Sequence, residues 1–94
     1  MNIKNETWND FEKTLNITPE EEEEIRLEME IIKATIEIRE KNKLSQTDLS
    51  KITGIKQSAI ARIEKSKHSP TTSTLIKLLY PMGYTLGVIP IKKN

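Results

Sequence analysis

A chain of 94 residues with 35% hydrophobic content can hold one core but not two. It has no cysteine, which excludes disulfide frameworks and thiolate metal sites, and no apolar run approaches the roughly 18 residues of a membrane span. The net charge of +1 hides a polarity: residues 1–24 balance at −6, residues 25–43 at +1 and residues 44–94 at +6. An acidic front and a basic back suit two partners of opposite charge, nucleic acid for the back and a basic protein for the front. The alternative for the front is a charge run that only solvates a surface. Without a signal-peptide pattern or a span, the expectation is a cytoplasmic chain with no membrane partner.

Trp8, Phe11 and Leu15 recur at i, i+3 and i+7, so residues 7–15 are expected to form a short amphipathic helix. These aromatics either pack on the next helix or anchor a protein partner. Thr18-Pro19-Glu20-Glu21 is a helix start with a capping box and Pro at the first position. Glu20 to Glu24 put negative charge at the positive end of the helix dipole. As consecutive helical residues they diverge around the axis, so they do not make a metal site.

The helix from Pro19 is expected to run to about Asn42 with two apolar stripes. Ile25, Met29, Ile32 and Ile36 form one stripe; Leu27, Ile31, Ala34 and Ile38 form the other, nearly opposite. A surface helix needs only one. Two imply a sandwiched helix, covered on its far side by the Trp8–Phe11 segment, a second copy or a foreign protein.

The stretch from Leu44 to Pro70 reads as two short helices joined by a tight turn. Ser45 caps the first, with Asp48 at the capping-box position, and Gly54 ends it in the left-handed conformation. Leu44, Leu49 and Ile52 face Ile55, Ile60 and Ile63 across the turn, which is a helix-turn-helix arrangement. The outer face of the second helix, expected over residues 56–65, carries Lys56, Gln57, Ser58 and Arg62, side chains suited to phosphates and base edges. His68 has no second His or Cys for a metal and no catalytic neighbours, and reads as a loop residue. Thr72 or Ser73 is expected to cap a last helix, broken at Tyr80 by Pro81 and closed by Gly83. Residues 84–91, YTLGVIPI, read as a β-strand. With no second strand candidate, its partner is either the same segment of another copy or none, the segment then lying as a tail on the core.

The motif LSQTDLSKITGIKQSAIARIEKSKHSP resembles the Xre/Cro/C1 helix-turn-helix family of lambdoid phage repressors over roughly residues 31–83. Arg39, Leu44-Ser45-Gln46, Leu49, Gly54, Ile60 and Ile63-Glu64 stand at the family's spacing. The resemblance implies that Gln46 contacts a phosphate and braces the glutamine of the next helix. It also implies that Gln57, Ser58 and Arg62 read bases, that Lys56, Lys65 and Lys67 touch phosphates, and that Arg39 and Glu64 form a buried ion pair. Ser66 departs from the family, replacing its usual glycine, and Pro81 interrupts a helix that is usually continuous.

The whole chain is also similar to HigA-type antitoxins of type II toxin–antitoxin modules, which carry such an extension, the run Glu30-Ile31-Ile32-Lys33-Ala34-Thr35-Ile36-Glu37-Ile38-Arg39, and a terminal apolar strand. That likeness implies a homodimeric, non-enzymatic protein without cofactor that binds operator DNA and neutralises a HigB/RelE-like endoribonuclease. The alternative is a stand-alone Xre-family repressor. The expected fold is all-α: an acidic helical extension over residues 1–24, a lambda-repressor-like helix-turn-helix domain over 25–83, and a short C-terminal β-strand within 84–94. Toxin contacts are expected at Trp8, Phe11, Leu15, Glu22, Ile25 and Met29, and dimer contacts at Tyr84, Leu86, Val88 and Ile89.

Overall fold

The computed structural model describes residues 16–91. Four helices occupy this span: α1 Pro19–Lys41, α2 Gln46–Thr53, α3 Gln57–Glu64 and α4 Thr72–Leu79, followed by a 3₁₀ turn Tyr80–Met82. The expected helix over residues 7–15, with Trp8, Phe11 and Leu15, lies outside the described residues.

Local chemistry sets the helix ends. Thr18 Oγ1 accepts from the Glu21 amide at 3.1 Å and the Glu21 carboxylate accepts from the Thr18 amide at 3.0 Å. Ser45 and Asp48 repeat this reciprocal pair at 2.9 Å in both directions. Each box satisfies two amides that the first helical turn leaves without partners. Gly54 closes α2 at φ 77° and Gly83 closes the 3₁₀ turn at φ 89°. Ser66 takes φ 59° after α3, so it adopts the left-handed geometry usually left to glycine. Thr71, not Thr72 or Ser73, caps α4, accepting from the Thr74 amide at 3.2 Å.

The core joins all four helices through Ile32, Leu49, Ile60, Ile63, Leu78, Leu79 and Met82. Ile36, Ile38, Leu44, Ile55 and Leu86 pack against it. Ile52, expected at the α2–α3 seam, stays 53% exposed, whereas Leu49 is fully buried.

The two stripes of α1 turn out to be the shoulders of one buried arc. Ile32 of the first stripe and Thr35 between the stripes are buried, whereas Ile25, Leu27 and Met29 in the N-terminal half are exposed. Thr35 is tolerated inside because its hydroxyl donates to the Ile31 carbonyl at 2.7 Å.

The expected C-terminal strand is absent: no strand occurs among the described residues. A strand needs a neighbour to take its amides and carbonyls, and no second strand supplies them among the described residues. The segment instead leaves the core as an extended tail. The Tyr84 amide donates to the Leu79 carbonyl at 3.1 Å, Leu86 packs on the core, and Val88, Ile89 and Ile91 are exposed.

Candidate nucleic-acid interface

At about 100° per residue, Gln57, Ser58, Arg62 and Lys65 share the outer side of α3, away from Ile60 and Ile63 in the core. All four are exposed, as are Lys56 and Lys67 on the flanking turns. This side therefore presents one amide, one hydroxyl and several cations to solvent without a competing carboxylate. No side chain caps the start of α3, where Lys56 occupies the cap position.

A chain of polar contacts holds this face in place. Arg39 Nε donates to Glu64 Oε2 at 2.7 Å and Nη2 to Oε1 at 3.0 Å, with the two side chains only 12% and 8% exposed. Arg39 Nη1 also donates to the Leu44 carbonyl at 2.8 Å, tying the α1–α2 turn to the pair. Gln46 Nε2 donates to Glu64 Oε1 at 2.8 Å, and Gln57 Nε2 donates to Gln46 Oε1 at 2.8 Å. The relay runs from α1 through the end of α3 and the head of α2 to the first residue of α3. It leaves the Gln57 carbonyl oxygen free to accept from an incoming group. The hydrogen bonds that Arg39 donates to the Glu64 carboxylate raise its pKa above the ordinary guanidinium value, so the guanidinium stays charged.

The other expected residues fall into separate groups. Glu22, Ile25 and Met29 are exposed on one side of α1, while Trp8, Phe11 and Leu15 lie outside the described residues. Tyr84, Val88 and Ile89 are exposed on the tail, but Leu86 is not among them, because it packs on the core. Met29 borders an open groove of about 340 Å³ with Ile32, Lys33, Ile36, Glu37, Glu64 and Ser66. A second groove, between α1 and the start of α4, went unforeseen from the sequence, although Leu27 and Ile31 on one stripe were a partial signal. Ser69 Oγ donates to Glu28 Oε1 across it at 3.0 Å. Among the described residues no cluster of three His, Cys, Asp or Glu could hold a metal, and no helix is long and apolar enough to cross a membrane.

A helix-turn-helix family model matches residues 36–89. An uncharacterized HTH-type transcriptional regulator of Haemophilus influenzae is 41% identical over 85 residues, covering 90% of this chain and 86% of that protein. The HTH-type transcriptional regulator PuuR of Escherichia coli is 45% identical over 51 residues, which are 54% of this chain and 28% of PuuR. Among solved structures, a toxin–antitoxin module from Streptococcus pneumoniae aligns with a TM-score of 0.69 and 35% identity, over 92% of this chain and 94% of that one.

Proposed function

The chain belongs to the helix-turn-helix family, of Xre/Cro/C1 type, and from that premise we propose that it is the HigA-like antitoxin of a type II toxin–antitoxin module. In this reading it neutralises a HigB/RelE-like mRNA endoribonuclease and represses its own operon. The observation that carries the reading is the extent of the structural likeness. The toxin–antitoxin neighbour matches 92% of this chain, hence more than the DNA-binding motif that α2 and α3 supply.

DNA recognition in this proposal rests on α3. Gln57 reads adenine by a donor–acceptor pair, Arg62 reads guanine bidentately, and Ser58 adds a hydroxyl contact. Gln46 holds Gln57 and also reaches a phosphate, while Lys56, Lys65 and Lys67 supply salt-sensitive backbone contacts. One such helix covers few base pairs. Two copies paired through the tail residues Tyr84, Val88 and Ile89 place two α3 helices about one DNA turn apart, roughly 34 Å, on a palindromic operator.

Toxin binding falls to the acidic front. Glu22, Ile25 and Met29 on α1, with Trp8, Phe11 and Leu15 from the preceding segment, combine carboxylates for a basic RNA-binding surface with apolar anchors. The second reading, a stand-alone repressor whose front only supports the fold or the dimer, is favoured by the regulator from Haemophilus influenzae, which matches along 90% of this chain. Co-purification separates the two. A small basic protein encoded in the same operon forms a stable complex with an antitoxin; a monocistronic gene, or no complex, leaves the repressor.

A further inference from the structure

The two grooves flanking α1 differ in charge, and the difference selects an occupant for one of them. The groove beside Met29 carries Lys33 against Glu37, and its Glu64 is already engaged by Arg39 and Gln46. The groove on the other side, about 160 Å³, is lined by Leu27, Ile31, Ile32, Leu75 and Pro70 under Glu24 and Glu28. Its lining contains two carboxylates and no cation. Neither carboxylate is in an ion pair among the described residues; Glu28 accepts only the neutral Ser69 hydroxyl, and Arg26 is taken by Glu23 and Glu30. Glu20 lies two helical turns before Leu27 and extends the same negative edge.

We propose that this α1–α4 groove seats a cationic segment of a partner protein, which inserts one bulky apolar side chain between Leu27, Ile31, Pro70 and Leu75 and sets basic residues against Glu24 and Glu28. The volume fits a single anchor, since an engineered apolar cavity of ~150 Å³ holds one benzene. Leu27 is 39% exposed at the rim, so an anchor entering here removes apolar surface from water. Charge argues against the nearest occupant. The fifteen residues that precede the described span carry Lys4 and Lys13 against Glu6, Asp10 and Glu12, a net −1 that would face like charge. A second copy could bring Lys77 of α4 or the tail sequence Ile91-Lys92-Lys93, so the dependence on protein concentration in the test below separates it from a foreign partner. The groove's requirement is met by any basic partner with one exposed anchor, so it stands or falls apart from the antitoxin reading.

The test is an NMR titration of the full chain with three peptides: one phenylalanine flanked by arginines, the same phenylalanine flanked by glutamates, and arginines without the phenylalanine. Only the first is expected to give saturable shifts, centred on Leu27, Ile31 and Leu75. Leu27→Asp should weaken that binding at least about tenfold, and Glu24→Lys about threefold, the scale of an exposed ion pair. Both positions are exposed, and retained operator binding reports that each variant is folded. Equal shifts from the glutamate peptide, shifts centred on Met29 and Ile36, or no saturable shifts at millimolar peptide would overturn the proposal. So would contacts in the free protein between the Trp8 indole and Leu75, which would mean that the chain fills its own groove. Shifts at Leu27 and Leu75 that depend on protein concentration alone would assign the groove to a second copy and overturn it equally.

Discussion

Gln57, the first residue of α3, donates its side-chain amide to Gln46 Oε1 at 2.8 Å, and Gln46 donates in turn to Glu64. The side chain expected to read a base is therefore ordered before DNA arrives, which reduces the entropy lost on binding. Gln46→Ala should weaken operator binding without touching the core, and most of the loss should disappear in a Gln46→Ala, Gln57→Ala double-mutant cycle. Additive losses in a fluorescence-anisotropy titration would separate the two residues.

Base and phosphate contacts should divide cleanly on salt dependence. Arg62→Ala is expected to cost about 1–3 kcal/mol on the operator while leaving non-specific binding at low salt intact. Lys65→Ala and Lys67→Ala should weaken all DNAs alike and each reduce the slope of log affinity against log salt by about one. Equal losses from Arg62→Ala on both DNAs in gel-shift titrations would move Arg62 to the phosphate group.

Arg39 and Glu64 join α1 to α3 while nearly buried, so removing one partner strands the other. Glu64→Ala should destabilise by about 3 kcal/mol, whereas replacing both with apolar residues, as in R39M/E64L, should cost much less. Urea denaturation of the three proteins gives the comparison.

Much of this architecture is legible in short motifs. The capping boxes at Thr18–Glu21 and Ser45–Asp48, and Gly54 at a left-handed turn, depend only on residues within one helical turn, so the sequence displays them whole. The Arg39–Glu64 pair spans 25 positions and was legible only through family resemblance. Thr35 was not legible, because periodicity treats a hydroxyl as a surface group and cannot see that the Ile31 carbonyl satisfies it locally. The segment Tyr84–Ile91 misled for the opposite reason. Its β-branched composition is strand-like, but a strand is a property of two segments, and Leu86 finds the core instead. The groove beside Leu27 depends on where Pro70 and Leu75 arrive in space, about forty residues downstream, which no local pattern records.

Two left-handed positions should respond with opposite signs. Ser66→Gly relieves a side chain at φ 59° and should stabilise by roughly 1 kcal/mol. Gly54→Ala should destabilise by a similar amount; an added Cβ there meets nothing within 4 Å, so the cost is backbone conformation alone. Thermal melts of the two variants check the pair.

The capping carboxylates set an acid limit. Hydrogen bonds from the Thr18 backbone and hydroxyl lower the Glu21 pKa below its ordinary 4.5, and the Ser45 backbone and hydroxyl lower Asp48 below 3.8. Their folded values lie below their unfolded ones, so the stability they contribute is complete above those ordinary values and is lost as the pH falls through the lowered ones. A Thr18→Ala, Ser45→Ala variant should be less stable at neutral pH and lose less on acidification than the parent. Parallel stability curves across the acid range would place the acid sensitivity elsewhere.

The central claim is tested most directly by an mRNA cleavage assay with any small basic protein that the same operon encodes, run with and without this chain at equal molar ratio. Cleavage by that protein alone and intact mRNA in the presence of this chain are expected. Cleavage that continues unchanged in the presence of the folded, operator-binding chain would contradict the antitoxin role and leave a repressor.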